Sequence, residues 1–160
     1  MSTATPIVDE TTGLPYPVIQ QGAGLGNAND AMNADSYILV DGQPDGKVKA
    51  ELGDDPEKTG RYEFSFSIFN LTESEQTYAL SGDLFTQDLF TDEGISYMNT
   101  WTTGLHAEVT FSTGDTVTVP AGSSVDVKVT AVLTQEQKTA LNQNYPNGAY
   151  LCLLYTSPSP

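Results

Sequence analysis

The sequence predicts a mostly β fold, an antiparallel β-sandwich, on three observations. Apolar and polar residues alternate with a period of two in several short segments, as in strands with one buried face. Gly, Pro and Asp separate these segments at the spacing typical of a sandwich. Hydrophobic residues make up 38% of the 160 residues, which is enough to fill the core of one ordinary domain.

Residues 1–36 do not follow this pattern and form the first predicted unit. Turn signals without a sustained period predict irregular chain over residues 1–24. Four apolar residues at roughly helical spacing follow: Leu25, Ala28, Ala31 and Met32. Asn27 is suited to be the N-cap of a short helix over residues 28–34.

Residues 37–150 form the second unit, and their strands carry the fold prediction. The clearest strand covers residues 61–71, where four large side chains share one face: Tyr62, Phe64, Phe66 and Ile68. Further strands are predicted over residues 37–41, 47–52, 77–84, 107–111, 117–119 and 125–133. Thr134 and Gln137 have the spacing of a capping box, which predicts one or two helical turns over residues 134–142.

The last ten residues, 151–160, form the third unit and break the acidic, alternating texture abruptly. Leu-Cys-Leu-Leu-Tyr-Thr-Ser-Pro-Ser-Pro resembles translated sequencing-adapter tails on assembled gene fragments, and a natural Pro-Ser linker is the alternative. We therefore set this segment aside as a non-native tail. The final strand of the sandwich is expected to be lost or replaced here.

The charge balance restricts the classes of partner. Six basic residues stand against 21 acidic ones, for a formal net charge of −15, so nucleic acid and anionic membranes are disfavoured. The acidity is typical of a soluble, extracytoplasmic surface, with calcium binding as the alternative. No stretch reaches the roughly 20 apolar residues of a membrane span. Because residues 1–7 lack the features of a signal peptide, the chain is either cytosolic or without its true amino terminus.

Residue types that could carry catalysis or bind a metal are few. His106 is the only imidazole, and no activated serine accompanies it, so no triad is predicted. Ser123 and Ser124 lie in a turn where their hydroxyls satisfy backbone groups. Cys152 is the only cysteine, which excludes an internal disulfide and a thiolate cluster. We therefore predict no catalytic, cofactor-binding or metal-binding residue.

Four further motifs are weak signals. The acidic groups lack EF-hand spacing and are interpreted as solvated loops, with a calcium site as the alternative; they are Asp41 with Asp45, Asp54 with Asp55, and Asp88 with Asp92 and Glu93. Gly22, Gly24 and Gly26 do not fit a phosphate-binding loop. Asn70-Leu71-Thr72 matches a glycosylation sequon. Trp101 is interpreted as a core or edge anchor.

Two segments in a fixed order carry a resemblance to a known family. The first combines Ser2-Thr3-Ala4-Thr5-Pro6 with Gln21-Gly22-Ala23-Gly24-Leu25 and Asn27-Ala28. It resembles the end of the catalytic domain in subtilisin-like serine proteases of the cell-envelope, lactocepin type. Residues 37–150 are similar to the fibronectin type III-like domain that follows, with Val119-Pro120-Ala121-Gly122 and strand 125–133 as the best match. Gly26 departs from the family, which usually has a bulkier apolar residue there.

The resemblance implies a fibronectin type III-like sandwich preceded by an irregular segment and one short helix from a subtilisin-like α/β domain. It implies a secreted parent endopeptidase of the bacterial cell envelope, with the catalytic domain and protein or peptide substrates as partners. The Gly-Thr-Ser-Met-Ala nucleophile motif is absent, as are the segments bearing the Asp and His, so this chain itself is expected to be non-catalytic. A self-standing cell-surface binding or adhesion module is the alternative.

Overall fold

A computed structural model describes residues 3–43 and 49–156, which contain nine strands and three short helices. The strands are β1 (Ser36–Val40), β2 (Arg61–Asn70), β3 (Gln76–Ala79), β4 (Ser81–Asp92), β5 (Ile95–Leu105), β6 (Glu108–Phe111), β7 (Thr116–Val119), β8 (Ser124–Val132) and β9 (Leu151–Thr156). The helices are α1 (Val18–Gln21), α2 (Ala28–Met32) and α3 (Gln135–Asn144).

The strands pair antiparallel in three sheets. The first sheet has the order β1-β2-β8-β6, the second contains β3 and β7, and the third has the order β5-β4-β9. In the first sheet Phe66 lies opposite Val127 and Phe64 lies opposite Val129. The arrangement confirms the predicted mostly β, sandwich-like fold.

The hydrophobic core lies between the first and second sheets. Nine buried side chains form it: Val40, Phe66, Ile68, Tyr78, Leu80, Val117, Val119, Val127 and Val129. Alternation on β2 and β8 places Phe66, Ile68, Val127 and Val129 towards this core, and each fully buried large side chain contributes about 1.5–3 kcal/mol. The half-buried face predicted for β2 is therefore confirmed, with Phe66 and Ile68 at 0% exposure.

Both predicted helix caps are confirmed. The Asn27 side chain accepts from the backbone N–H groups of Asn29 and Asp30 at the start of α2. Thr134 and Gln137 form the reciprocal capping box at the start of α3. Local side-chain spacing is sufficient to specify such caps because both partners lie within one helical turn.

Two predicted strands differ from the structure. Residues 49–52 form no strand, and Ala50 instead packs against the core as irregular chain; residues 47 and 48 lie outside the described part. The predicted strand over residues 77–84 is divided at Leu80, whose N–H donates to the Asp115 carbonyl at 2.8 Å. The division sends β3 to the second sheet and β4 to the third.

A strand replaces the one expected to be lost at the end of the chain. Residues 151–156, which were predicted to belong to a non-native tail, form β9 and pair with β4 from Thr86 to Ser81. Pairing with β4 satisfies the backbone groups of a segment whose own sequence shows no alternation. Residues 157–160 lie outside the described part, and the non-native origin of the tail stays a prediction.

Candidate interaction surfaces

The N-terminal segment, residues 3–33, is folded back on itself. Thr5 and Leu25 exchange two backbone hydrogen bonds, from Thr5 N to Leu25 O at 2.9 Å and from Leu25 N to Thr5 O at 2.8 Å. Gly24, with φ +104°, lies so close that a Cβ atom there would stand 2.1 Å from the Thr5 carbonyl oxygen. The glycine-rich stretch thus permits a close approach between two parts of the chain.

Polar side chains stabilise the same segment. The Gln21 side chain accepts from the Ile7 N–H at 2.6 Å and donates to the Tyr16 carbonyl at 2.6 Å. The Asp9 carboxylate accepts from Thr12 N and Thr11 N, both at 2.9 Å, and these bonds, led by that of Thr12, lower the Asp9 pKa. Residues 3–24, which were predicted to be irregular, therefore have a defined course without long regular elements.

The N-terminal segment meets the third sheet around Pro17, which is buried. Pro17 and Val18 line a small cavity together with Phe85 of β4 and Cys152 of β9. Burial raises the pKa of the Cys152 thiol, although a hydrogen bond from the Val18 backbone opposes the shift. The neutral thiol acts here as a small apolar group at the contact.

The N-terminal segment exposes several apolar side chains. Helices α1 and α2 contain no buried residue. Five large apolar side chains of the segment are exposed: Ile7, Val8, Ile19, Leu25 and Met32, the last at 81%. We call this set the apolar N-terminal surface. Exposed apolar side chains mark interaction sites where they form a patch, so this set is a candidate surface.

The hairpin formed by β4 and β5 is the second apolar surface. Five of its side chains are 49–56% exposed: Phe90, Ile95, Tyr97, Met98 and Trp101. Phe90 lies directly opposite Tyr97, whereas the neighbouring pair of Leu89 and Met98 points to the other face. Both faces of the hairpin end therefore present apolar side chains, and Trp101 is an edge residue and not part of the core.

A register shift separates the two halves of this hairpin. Gln87 pairs with Thr102 and Leu89 pairs with Met98, so β5 contains extra residues around Asn99. Gln87 Nε2 donates to the Asn99 carbonyl at 3.1 Å and holds the irregular stretch. Bulges of this kind increase the local twist of a sheet.

The electrostatic character of the hairpin is acidic. Asp88 and Asp92 lie in β4 and Glu93 in the turn, so the prediction that Asp88 and Asp92 belong to a loop is wrong. No Lys or Arg occurs between residues 62 and 127 of the sequence. The surface thus combines apolar side chains with carboxylates that take part in none of the ion pairs among the described residues.

The comparison with family models gives one match, to the Fn3-like domain, over residues 50–151. The chain belongs to the Fn3-like domain family. No curated protein matches the chain. The Fn3-like match includes the β4–β5 hairpin and excludes the N-terminal segment, so the hairpin belongs to the family domain and the apolar N-terminal surface lies before it.

The structure shows the surroundings of three residues that were considered for catalysis or glycosylation. His106 is exposed in the link between β5 and β6. Ser123 Oγ donates to the Ala121 carbonyl at 3.3 Å, as predicted for a turn hydroxyl. The sequon residue Asn70 is only 2% exposed. Its Nδ2 donates to the Ser74 carbonyl at 2.8 Å and the Val119 carbonyl at 3.1 Å, so the amide that would carry a glycan is used inside the domain.

Within the described ranges, no group of three His, Cys, Asp or Glu residues is arranged so that it could hold a metal ion. Asp55 accepts from the backbone N–H groups of Gly60 at 2.8 Å and Thr59 at 2.9 Å, which identifies it as a loop-stabilising residue. Asp45 lies outside the described residues. In the parts of the chain that the structure covers, no helix is long and apolar enough to cross a membrane.

Sequence reasoning found the N-terminal segment through its glycines but missed the hairpin surface. Apolar and polar residues do not alternate cleanly around Tyr97, because both faces of the hairpin end expose apolar side chains. The sole signal was the concentration of aromatic and apolar residues between Phe85 and Trp101 in a stretch without basic residues.

Proposed function

We propose that this chain is a non-catalytic part of a secreted subtilisin-like serine endopeptidase, in which the Fn3-like sandwich supports the catalytic domain and helps to position protein substrates. The observation that carries the proposal is the apolar N-terminal surface. Its residues belong to the segment that resembles the end of a subtilisin-like catalytic domain.

The contacts of the N-terminal segment support this assignment. The segment meets the third sheet at Pro17 and Val18, while it exposes Leu25 at 66% and Met32 at 81%. Covering apolar surface stabilises a complex by about 25 cal/mol per Å² of area removed from water. A catalytic domain continuing from this segment would supply that cover and fix its position relative to the sandwich.

The hairpin surface supports the role in substrate positioning. Apolar side chains such as Tyr97 and Trp101 offer contact area to a polypeptide, and aromatic residues are enriched at protein interfaces. The chain itself lacks the Asp, His and Ser motifs of the triad. Its contribution to proteolysis is therefore to bind and orient, with an extracellular or cell-envelope location.

The reading frame upstream of this sequence provides the decisive test. We expect a Gly-Thr-Ser-Met-Ala motif within about a hundred residues, the scale of one domain. A signal peptide followed directly by this sequence would contradict the proposal. A fluorophosphonate probe should label no serine of the isolated chain, and stoichiometric labelling would show that the chain has catalytic chemistry of its own.

A self-standing cell-surface binding or adhesion module is the second candidate, and the hairpin is the observation that favours it. Its exposed side chains lie within the Fn3-like match and do not require the N-terminal segment. Deleting residues 1–33 distinguishes the two candidates. An adhesion module should keep its binding activity without these residues, whereas the support of a catalytic domain should be lost with them.

A further inference from the structure

We propose that the outer edge of β5 binds an extended polypeptide segment carrying basic and apolar residues, which adds to the third sheet as a further strand. The inference rests on the proposed function, because it names the chemistry of the polypeptide that the hairpin surface would position.

The position of β5 in the sheet provides the geometry. Its eleven residues lie at one end of the order β5-β4-β9, and among the described residues β4 is the strand that pairs with it. The backbone groups on its outer side therefore form a row of donors and acceptors, which is the template used in strand addition. The register shift near Asn99 divides the edge into two parts, residues 95–98 and 102–105.

The sequence of β5 lacks the devices that normally prevent edge pairing. Ile-Ser-Tyr-Met-Asn-Thr-Trp-Thr-Thr-Gly-Leu contains no charged residue and no proline. Natural edge strands usually carry Lys, Pro or inward-pointing charges for this purpose, and a bulge is the single protective feature here. Retaining a long uncharged edge is consistent with a binding role.

Exposed apolar side chains on both faces of the hairpin end add contact area, with Met98 on one face and the pair of Phe90 and Tyr97 on the other. Tyr97 and Trp101 are 51% and 49% exposed on β5, and Phe90 on β4 is 55% exposed directly opposite Tyr97. The side chains of an added strand alternate between the two faces of the sheet. Apolar residues of the bound segment would thus meet aromatic rings while its backbone pairs with β5.

Charge selects the kind of segment. Asp88, Asp92 and Glu93 lie in the same hairpin, and none of the ion pairs among the described residues involves them. A basic segment is attracted to this region, whereas a second copy of the chain would bring its own net charge of −15 against the first. The favoured occupant is therefore a basic, apolar polypeptide and not another copy.

The only tryptophan of the chain lies at this surface and reports on binding. The probe is the peptide acetyl-Val-Lys-Val-Thr-Lys-Val-Thr-Val-amide, titrated into the full chain at low salt. We expect a saturable change in Trp101 fluorescence with a Kd below about 1 mM, weakened several-fold at about 0.5 M salt. Amide hydrogen exchange should slow at outward amides of β5 and stay unchanged on the edge strand β6.

Two control peptides and two variants make the test specific. Replacing the peptide's lysines by glutamates, or N-methylating alternate amides, should abolish binding, since the first removes charge complementarity and the second removes strand pairing. Tyr97→Lys should weaken binding about tenfold by placing a like charge at the edge. The control Met32→Lys adds the same charge on the N-terminal segment and should change Kd less than about twofold.

Three results would overturn the proposal: no fluorescence change up to about 1 mM peptide, equal binding of the N-methylated peptide, or protection of β5 by self-association without peptide. Each result concerns the hairpin of the isolated chain. The upstream reading frame tests the proposed function independently, so a failure of one leaves the other to be decided on its own result.

Discussion

At the scale of single residues, two buried polar side chains show opposite solutions to burial. Asn70 is hydrogen-bonded through both ends of its amide, since its Oδ1 also accepts from the Thr72 N–H at 2.9 Å. The hydroxyl of Tyr78 is buried and has no hydrogen-bond partner in the described part of the chain. A buried polar group without a hydrogen-bond partner lowers stability, whereas the burial of a hydrogen-bonded polar group is close to neutral or favourable.

Replacing Tyr78 by phenylalanine should therefore leave the free energy of unfolding unchanged or raise it by up to about 1 kcal/mol. Tyr145→Phe is the matched control, because the Tyr145 hydroxyl donates to the Gln87 carbonyl at 2.6 Å. That variant should lose about 1 kcal/mol. Urea unfolding measures both, and a larger loss for Tyr78→Phe than for Tyr145→Phe would contradict the assignment.

The Asp55 loop should respond to acid. Hydrogen bonds from the backbone of Gly60 and then Thr59 lower the pKa of Asp55 in the folded state. Its stabilising contribution is therefore complete above the unfolded pKa, about 3.9, and is lost as the pH falls through the lower folded value.

Asp55→Asn tests this sign. The variant should be less stable than the parent chain at pH 7, and the difference should shrink as the pH falls below about 4. Unfolding curves at several pH values provide the measurement. A stability difference that is independent of pH, or that grows in acid, would show that the lowered pKa of Asp55 does not contribute.

At the scale of elements, the N-terminal segment depends on one close backbone approach, and the hairpin depends on pairing along two long strands. Gly24 allows Thr5 and Leu25 to exchange their hydrogen bonds. In the hairpin, β4 is the central strand of the third sheet, so β5 pairs with one neighbour among the described strands. The N-terminal segment and β5 therefore have fewer supports than the central strands β2 and β8, each of which pairs on both sides.

Gly24→Ala should release the contact between Thr5 and Leu25, because the new Cβ atom would overlap the Thr5 carbonyl. Gly13→Ala is the control: Gly13 also has a positive φ, +70°, but no atom lies within 4 Å of its Cβ position. The control should carry only the left-handed backbone penalty of about 1 kcal/mol. Hydrogen exchange at the Thr5 and Leu25 amides should accelerate far more in the Gly24 variant, and equal effects would exclude the close approach as the cause.

At the scale of the whole molecule, the sandwich and the N-terminal segment should differ in stability. The first two sheets enclose the core, whereas α1 and α2 bury no residue. We expect amides of residues 3–33 to exchange at least about a hundredfold faster than those of β2 and β8 in the isolated chain. Uniformly slow exchange would show that this segment needs no neighbouring domain to be stable.

The sequence predicted the elements whose signals are local. The strands β2 and β8 alternate strictly, and the caps at Asn27 and Thr134 lie next to the groups they satisfy. The candidate surfaces were predicted only in part. The glycines marked the N-terminal segment, but nothing local in the sequence shows that Tyr97 and Trp101 remain exposed, since exposure depends on which other elements pack there.

The sequence by itself thus determined the mostly β class, the principal core strands and the acidic character that disfavours nucleic acid. Tertiary structure alone decided the division at Leu80, the recruitment of residues 151–156 as β9 and the edge position of β5. The physical reason is that periodicity and capping act over a few residues, whereas strand pairing satisfies backbone groups between segments far apart in the chain, so the local pattern of one segment does not identify its partner.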